Sequence, residues 1–332
     1  MGANPIRQRV CMHKLARKAE AMRTAAPWRT GVASDPGLER TINEDRVLAD
    51  EARGLFLVAD GLGGHAAGEM AAEIARRTIE DRLSSLESHN DIEAQIRRAI
   101  TDANNRIYEL AEQNSDWRGM ACVLTLAVAQ ENRVTIAHVG DSRVYLAWNG
   151  NLRKLTADHS PVGELEDHGE LTELEAMNHP RRNEVFRDVG SRPHAPDDSQ
   201  FIEIKSVVFR PDAALLLCTD GLSDVLTSAQ ISAIVERYDG DPSHTARQLI
   251  DAANEAGGKD NITVVFVAGP EFVGTQSNAP GDSRPRHAIT RMKTAGTRWR
   301  RALRDLFWLA IGLILGALLS AAINFTIPKF SR

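Results

Sequence analysis

A chain of 332 residues with 42% hydrophobic content can bury one large core or two small ones. Its net charge of −5 does not suit a nucleic-acid binder. The three cysteines, Cys11, Cys122 and Cys218, share no metal-ligand or disulfide spacing. Cys122 and Cys218 lie in apolar, strand-like runs and read as buried thiols in a reducing compartment. Basic residues crowd both ends of the chain, so the interior is more acidic than the total implies, which suits binding of metal cations or contact with an anionic surface.

Residues 1–26 are polar and basic and read as a mobile tail, or as a weak contact with anionic lipid. No apolar leader-like run is found there, so no cleaved signal peptide is expected. Trp28–Ser34 predicts a strand, and Asp35-Pro36-Gly37 a turn. Arg40, Glu44 and Asp45 follow in R-T-I-N-E-D, which taken alone fits a surface salt-bridge cluster. Leu55–Ala59 is an unbroken apolar run suited to a strand buried on both faces. It is expected to stop at Asp60, where Gly61, Gly63 and Gly64 turn the chain. A carboxylate on such a strand needs a cation or hydrogen bonds to compensate it, although an ordinary strand–turn–helix corner fits the same residues.

Two long helices are predicted, Ala66–Leu86 and Asp91–Gln113, the second with an apolar face of Ile92, Ile96, Ile100, Ala103, Ile107 and Leu110. Strands follow at Cys122–Ala129, Arg133–His138 and Val144–Trp148, and Asn149-Gly150 signals a hairpin. G-D-S-R places Asp141 at a strand end, and His138 beside it reads as a packed strand histidine. Residues 156–194 lack strand pattern, with only Thr172–Met177 helical, and read as a flap beside the site. Phe201–Val208 and Ala213–Cys218 are strands, the second running into Asp220-Gly221 as the earlier one runs into Asp60-Gly61. Helices at Ser228–Tyr238 and Ser243–Ala256 then lead through Gly257-Gly258-Lys259-Asp260-Asn261 into a last buried strand, Ile262–Ala268.

The division expected is a tail over 1–26, a main folded domain over 27–269, a basic flexible linker over 270–304, a membrane span over 305–327 and a short end over 328–332. Within it Leu306–Ile327 contains no formal charge, and Arg291, Lys293, Arg298, Arg300, Arg301 and Arg304 precede it. The positive-inside rule then puts the domain in the cytoplasm, tethered to the bilayer by a tail anchor. Gly312, Gly316, Ser320 and Asn324 form a small or polar stripe that could serve a helix–helix homodimer contact.

Asp60, Asp141, Asp220 and Asp260 thus all stand at predicted strand termini beside Gly, Ser or Asn, with Glu44 and Asp45 near another strand. Oxygen ligands with few histidines suit Mg²⁺ or Mn²⁺ and not zinc. Two such ions sharing a carboxylate can activate a bridging water, and the planar fork of Arg40 suits a phosphate dianion.

In order, R-x-x-N-E-D, D-G-x-G-G-H, G-D-S-R, D-H-S, N-H-P-R-R-N, C-T-D-G-L-S-D and G-x-x-D-N-I-T resemble the motif series of the bacterial protein phosphatase 2C (PPM) family over Trp28–Ala268. The resemblance implies an α/β sandwich of two antiparallel sheets flanked by helix pairs, hydrolysing phosphoserine and phosphothreonine in proteins and opposing a Ser/Thr kinase. It implies that Asp60 bridges two Mn²⁺ or Mg²⁺ ions with help from the Gly61 carbonyl. Asp220 and Asp260 would complete the first metal, Glu44 and Asp45 the second, and Asp141 with Asp220 a third. Arg40 matches the phosphate-binding arginine.

The chain departs from the family pattern in two places. Met120-Ala121-Cys122-Val123-Leu124-Thr125 replaces M-G-T-T-L-T, which implies altered strand packing with no ligand lost. The histidine that serves as general acid in eukaryotic relatives is Leu62 here, which leaves His65 as candidate proton donor. A catalytically silent, phosphoprotein-binding scaffold is the alternative, and the complete set of acids argues against it.

Overall fold

The computed structural model describes residues 28–63, 66–84 and 91–275. The 1–26 tail, His65, most of the 270–304 linker, the expected span 305–327 and its Gly312/Gly316/Ser320 stripe lie outside them. Among the described residues no helix is long and apolar enough to cross a membrane.

Among the described residues ten strands form two five-stranded sheets in which every pairing is antiparallel. One sheet holds β1 (Arg29–Asp35), β10 (Ile262–Ala268), β9 (Ala213–Cys218), β6 (Arg143–Trp148) and β7 (Asn151–Lys154), in that spatial order. The other holds β2 (Arg46–Asp50), β3 (Leu55–Leu62), β4 (Ala121–Gln130), β5 (Arg133–Val139) and β8 (Glu203–Val208). Because successive side chains alternate between faces, each central strand feeds two cores. Phe56, Val58, Ala127, Ile136, Leu215, Leu217, Val265 and Val267 pack between the sheets. Leu55, Leu57, Leu124 and Leu126 face outward against α1 (Ala66–Arg82) and α2 (Ile92–Gln113). On the opposite outer face Leu216, Val264 and Phe266 meet Ile231 and Ile234 of α6 (Ser228–Val235) and Leu249 of α7 (Pro242–Glu255). The four layers explain why these strands read as unbroken apolar runs: both of their faces are covered.

The short helices between β7 and α6 are α3 (Pro161–Asp167), α4 (Glu173–Met177) and α5 (Asp220–Ser223). The first was not expected. Its local signal is Ser160-Pro161, where the serine hydroxyl accepts from Gly163 N–H at 2.9 Å and proline occupies the first turn.

The structure also corrects the predicted end of β3. The strand does not stop at Asp60: the ladder with β4 continues through Asp60–Val123, Gly61–Cys122 and Leu62–Ala121. Only Gly63, with φ of +118°, leaves it. Gly61 serves close approach instead of turning, since a Cβ there would lie 2.4 Å from the Gly68 carbonyl group. That contact brings the first turn of α1 onto the strand beside Asp60.

Candidate active site

Strand alternation places the polar cluster. On β3, Phe56 and Val58 point between the sheets, and Asp60 has the same parity. Val47 and Ala49 do so on β2, and Asp45 continues their row. Leu215 and Leu217 lead to Thr219, and Val265 and Val267 run back to Thr263. At one end of the sandwich the inter-sheet layer therefore changes from apolar to acidic and hydroxylic.

Asp60 lies within electrostatic range of Asp45, Asp220, Asp141 and Asp260, and Asp45 within range of Asp220 and Asp260. The side chains of Asp60 and Asp220 lie close enough to share a proton. Burial, reinforced by this mutual repulsion, raises Asp60 and Asp141 well above the usual carboxylate range. The same causes bring Asp45 to about 7 and Asp220 to about 6. Asp45 Oδ1 and Asp220 Oδ1 are shielded from solvent and have no hydrogen-bond partner. Acids held together with bare, inward oxygens, while the buried cation Arg143 is engaged by Asp158 and Glu166, fit hard divalent ions, which are compensated by several oxygens at once.

Several uncharged groups hold these acids in place. Thr219 Oγ1 donates to Asp45 Oδ2 at 3.0 Å and accepts from Thr263 N–H at 3.0 Å. Asn261 Oδ1 accepts from Glu44 N–H at 2.8 Å, while its amide donates to the Pro36 and Ile42 carbonyls. The buried Glu44 carboxylate reaches toward Gly68, where an added Cβ would stand 3.0 Å from Oε2. Arg40 sits half exposed at the lip and donates through Nη2 to Asp260 Oδ2 at 2.8 Å. The structure thus brings together Arg40, Glu44, Asp45, Asp60, Gly61, Asp141, Asp220 and Asp260, while His65 lies outside the described residues.

Three features were not assigned from sequence. Asp224, raised to about 7 by burial and by Asp220, borders a small cavity of about 20 Å³ together with Asp141 and Asp220. Arg182 from the flap donates to Asp224 Oδ2 at 3.1 Å. Behind Asp141, buried Arg143 grips Asp158 and Glu166 at 2.5 and 2.9 Å, tying α3 to β6. The D-G-L-S-D spacing and the paired charges of the flap carried the only sequence signal for these contacts.

His138, His159 and Glu203 offer ligand atoms within 4.8 Å of one another, but a guanidinium already stands beside His159 and argues against a second metal site. Thr125 Oγ1 donates to the Ser142 carbonyl, so it accepts from His138 Nδ1. His159 Nδ1 lies 3.1 Å from Gly140 N, and Arg187 Nη1 stands 3.1 Å from Nε2, a cation against the nitrogen an ion would need. Burial, then His138 and Arg187, push His159 down to about 3. The pair instead braces the Gly140–Ser142 loop that carries Asp141, and His138 is the packed strand histidine its sequence setting suggested.

This sandwich, with an oxygen-rich acidic cluster at one end, is that of a PP2C-type, metal-dependent protein phosphatase. Residues 39–255 match the family model described as Protein phosphatase 2C, and the chain belongs to that family. It is 38% identical over 240 residues to the serine/threonine phosphatase stp of Listeria welshimeri, covering 70% of this chain and 93% of that relative. The Mycobacterium tuberculosis serine/threonine phosphatase PstP/Ppp superposes with a TM-score of 0.65 at 34% identity, over 73% of this chain and 98% of that one. The PstP catalytic domain in complex with two manganese ions gives 0.64 at 33% identity, over 73% and 97%. The chain is accordingly a protein-serine/threonine phosphatase of a family that uses Mn²⁺ or Mg²⁺.

Proposed function

We propose that the chain hydrolyses phosphoserine and phosphothreonine on proteins at the cytoplasmic face of a membrane, opposing a Ser/Thr kinase. The observation that carries the chemistry is the convergence of Asp45, Asp60, Asp141, Asp220 and Asp260, with Asp45 Oδ1 and Asp220 Oδ1 left without a donor. Asp60, Asp220 and Asp260 would hold one ion. Asp60, the Gly61 carbonyl, Glu44 and Asp45 would hold a second, and Asp141 with Asp220 a third. Bound there, Mn²⁺ or Mg²⁺ would supply a water of lowered pKa and polarisation of the phosphoryl oxygens.

The chain's own groups supply the rest. Nη2 of Arg40 is fixed by Asp260, and its remaining guanidinium donors are unclaimed among the described residues, ready to fork onto a phosphate dianion. Thr219 and Asn261 keep the acidic segments in register, so the anion meets a site already assembled. His65 is assigned the proton given to the leaving serine or threonine oxygen; a His65→Ala variant with unchanged phosphopeptide turnover would remove it from that role.

The decisive assay is full-length protein with Mn²⁺ and a phosphothreonine peptide. Phosphate release should stop with chelator and in Asp60→Asn or Asp220→Asn. Calorimetric titration that detects no Mn²⁺ binding would favour the silent scaffold instead.

Membrane placement rests on the uncharged 306–327 segment and the arginines before it. Tethering there raises the effective concentration toward membrane-bound phosphoproteins. Fractionation that finds the full chain in the soluble pool, or protease protection that puts the domain outside, would overturn this part alone.

A further inference from the structure

Next to the acidic cluster the molecule opens a cleft of about 470 Å³, whose walls carry Arg40, Asn178, Arg182, Asp224, Lys259 and Asp260. Two of its three cations are already paired. Arg40 is held by Asp260 at 2.8 Å, and Arg182 by Asp224 at 3.1 Å. Lys259 is exposed, and among the described residues it makes no hydrogen bond or ion pair.

Although its side chain is uncommitted, Lys259 stands on a fixed base. Gly258, with φ of +51°, turns its carbonyl to accept from Leu38 N–H at 2.6 Å and from Glu39 N–H at 3.3 Å. This clamps the Lys259 backbone to the segment that carries Arg40. On the other side Lys259 adjoins Asp260, with consecutive Cα atoms about 3.8 Å apart. The ammonium therefore starts one residue from the acidic cluster and can swing on a four-carbon stem over the cleft. An extended peptide advances about 3.3 Å per residue, so the groups within its reach are the near neighbours of a phosphorylated residue bound at Arg40.

The charge balance of this wall sharpens the assignment. Glu39, Asp220, Asp224 and Asp260 would repel an acidic neighbour, and Arg40 and Arg182 are largely neutralised by their partners. Among the described residues Lys259 is the unpaired cation of the cleft. We infer that this cleft is a substrate subsite in which Lys259 selects phosphopeptides bearing a carboxylate or a second phosphoryl group one or two residues from the phosphate being hydrolysed. The inference rests on the phosphatase reading given above.

The test uses the full-length chain in detergent with Mn²⁺. The substrates are a phosphothreonine peptide with alanine flanks, the same peptide with one aspartate at each of the two positions on either side, and a doubly phosphorylated version. The quantity compared is kcat/KM for each anionic peptide divided by that for the alanine-flanked one. Wild type should prefer an anion on one side by about three- to fivefold, the strength of a solvent-exposed ion pair. The dianionic phosphate should exceed the aspartate, and about 0.5 M salt should erase most of the preference. Lys259→Gln should bring the ratio to about one, and Lys259→Glu should push it below one. Ratios identical in wild type and variants, or no preference in wild type, overturn the assignment and leave the phosphatase reading intact. If wild type hydrolyses none of the peptides, both fall together.

Discussion

Thr219 Oγ1 donates to Asp45 Oδ2 at 3.0 Å across the gap between the two sheets. Thr219 closes β9 of one sheet and Asp45 opens β2 of the other, so a single hydroxyl couples the halves of the sandwich where the acids meet. Thr219→Val keeps the shape but leaves Asp45 Oδ2 short of a donor and deprives the Thr263 N–H of its acceptor. We expect a loss of about 1–3 kcal/mol in denaturant unfolding. Mn²⁺ affinity should fall about tenfold or more by calorimetry. Unchanged Mn²⁺ affinity would mean that Asp45 orients itself.

Stability and activity should part company at Asp60. Burial and four neighbouring carboxylates oppose its charge in the metal-free protein. Asp60→Asn removes that repulsion, so the metal-free midpoint should rise by the equivalent of about 1–3 kcal/mol while phosphatase activity drops below detection. A destabilised metal-free Asp60→Asn protein would contradict the arrangement.

The raised carboxylates also fix the sign of a pH dependence. Asp45 and Asp220 titrate at about 7 and about 6 in the folded chain, above the ordinary value of 3.8. The folded state binds their protons more tightly than the unfolded state does. That contribution is complete below the ordinary value and is lost as pH rises through 6 to 7. In metal-free protein the cluster therefore weakens the fold toward neutral pH. Mn²⁺ needs ionised ligands and restores stability in the same range. Thermal shift measurements should show a larger Mn²⁺-induced rise in Tm at about pH 7.5 than at about pH 5.5. An equal or larger rise at the lower pH would reject this account.

Arg143 and Asp158 form a different kind of buried pair, both nearly inaccessible and joined through two guanidinium nitrogens. Arg143→Met strands a buried carboxylate and should cost about 3–5 kcal/mol. Combining it with Asp158→Leu should recover most of the loss, which equilibrium unfolding of the two variants checks. A double variant no better than the single one would show that α3 needs the charge itself.

The acids were legible in the sequence because each follows or precedes an apolar run beside Gly, Ser or Asn, a local pattern. The end of β3 was not. Asp60 looked terminal because Gly61 follows it, yet the strand persists as long as β4 offers a partner, and that pairing is non-local. Helix α3 was missed for the opposite reason: its serine–proline start is local, but it lies in a segment dense in charge with little apolar periodicity.

Side-chain parity and residue chemistry, both fixed by the order of amino acids, determined that this chain builds covered strands with acidic side chains near their ends. Only the folded molecule decided which groups support those acids. Thr219 reaches Asp45 across 174 positions, Asn261 reaches Glu44 across 217, and Arg182 reaches Asp224 across 42. Hydrogen bonds act over about 3 Å, whereas periodicity speaks only of neighbours along the backbone, so contacts of this span exist only after the two sheets have closed on each other.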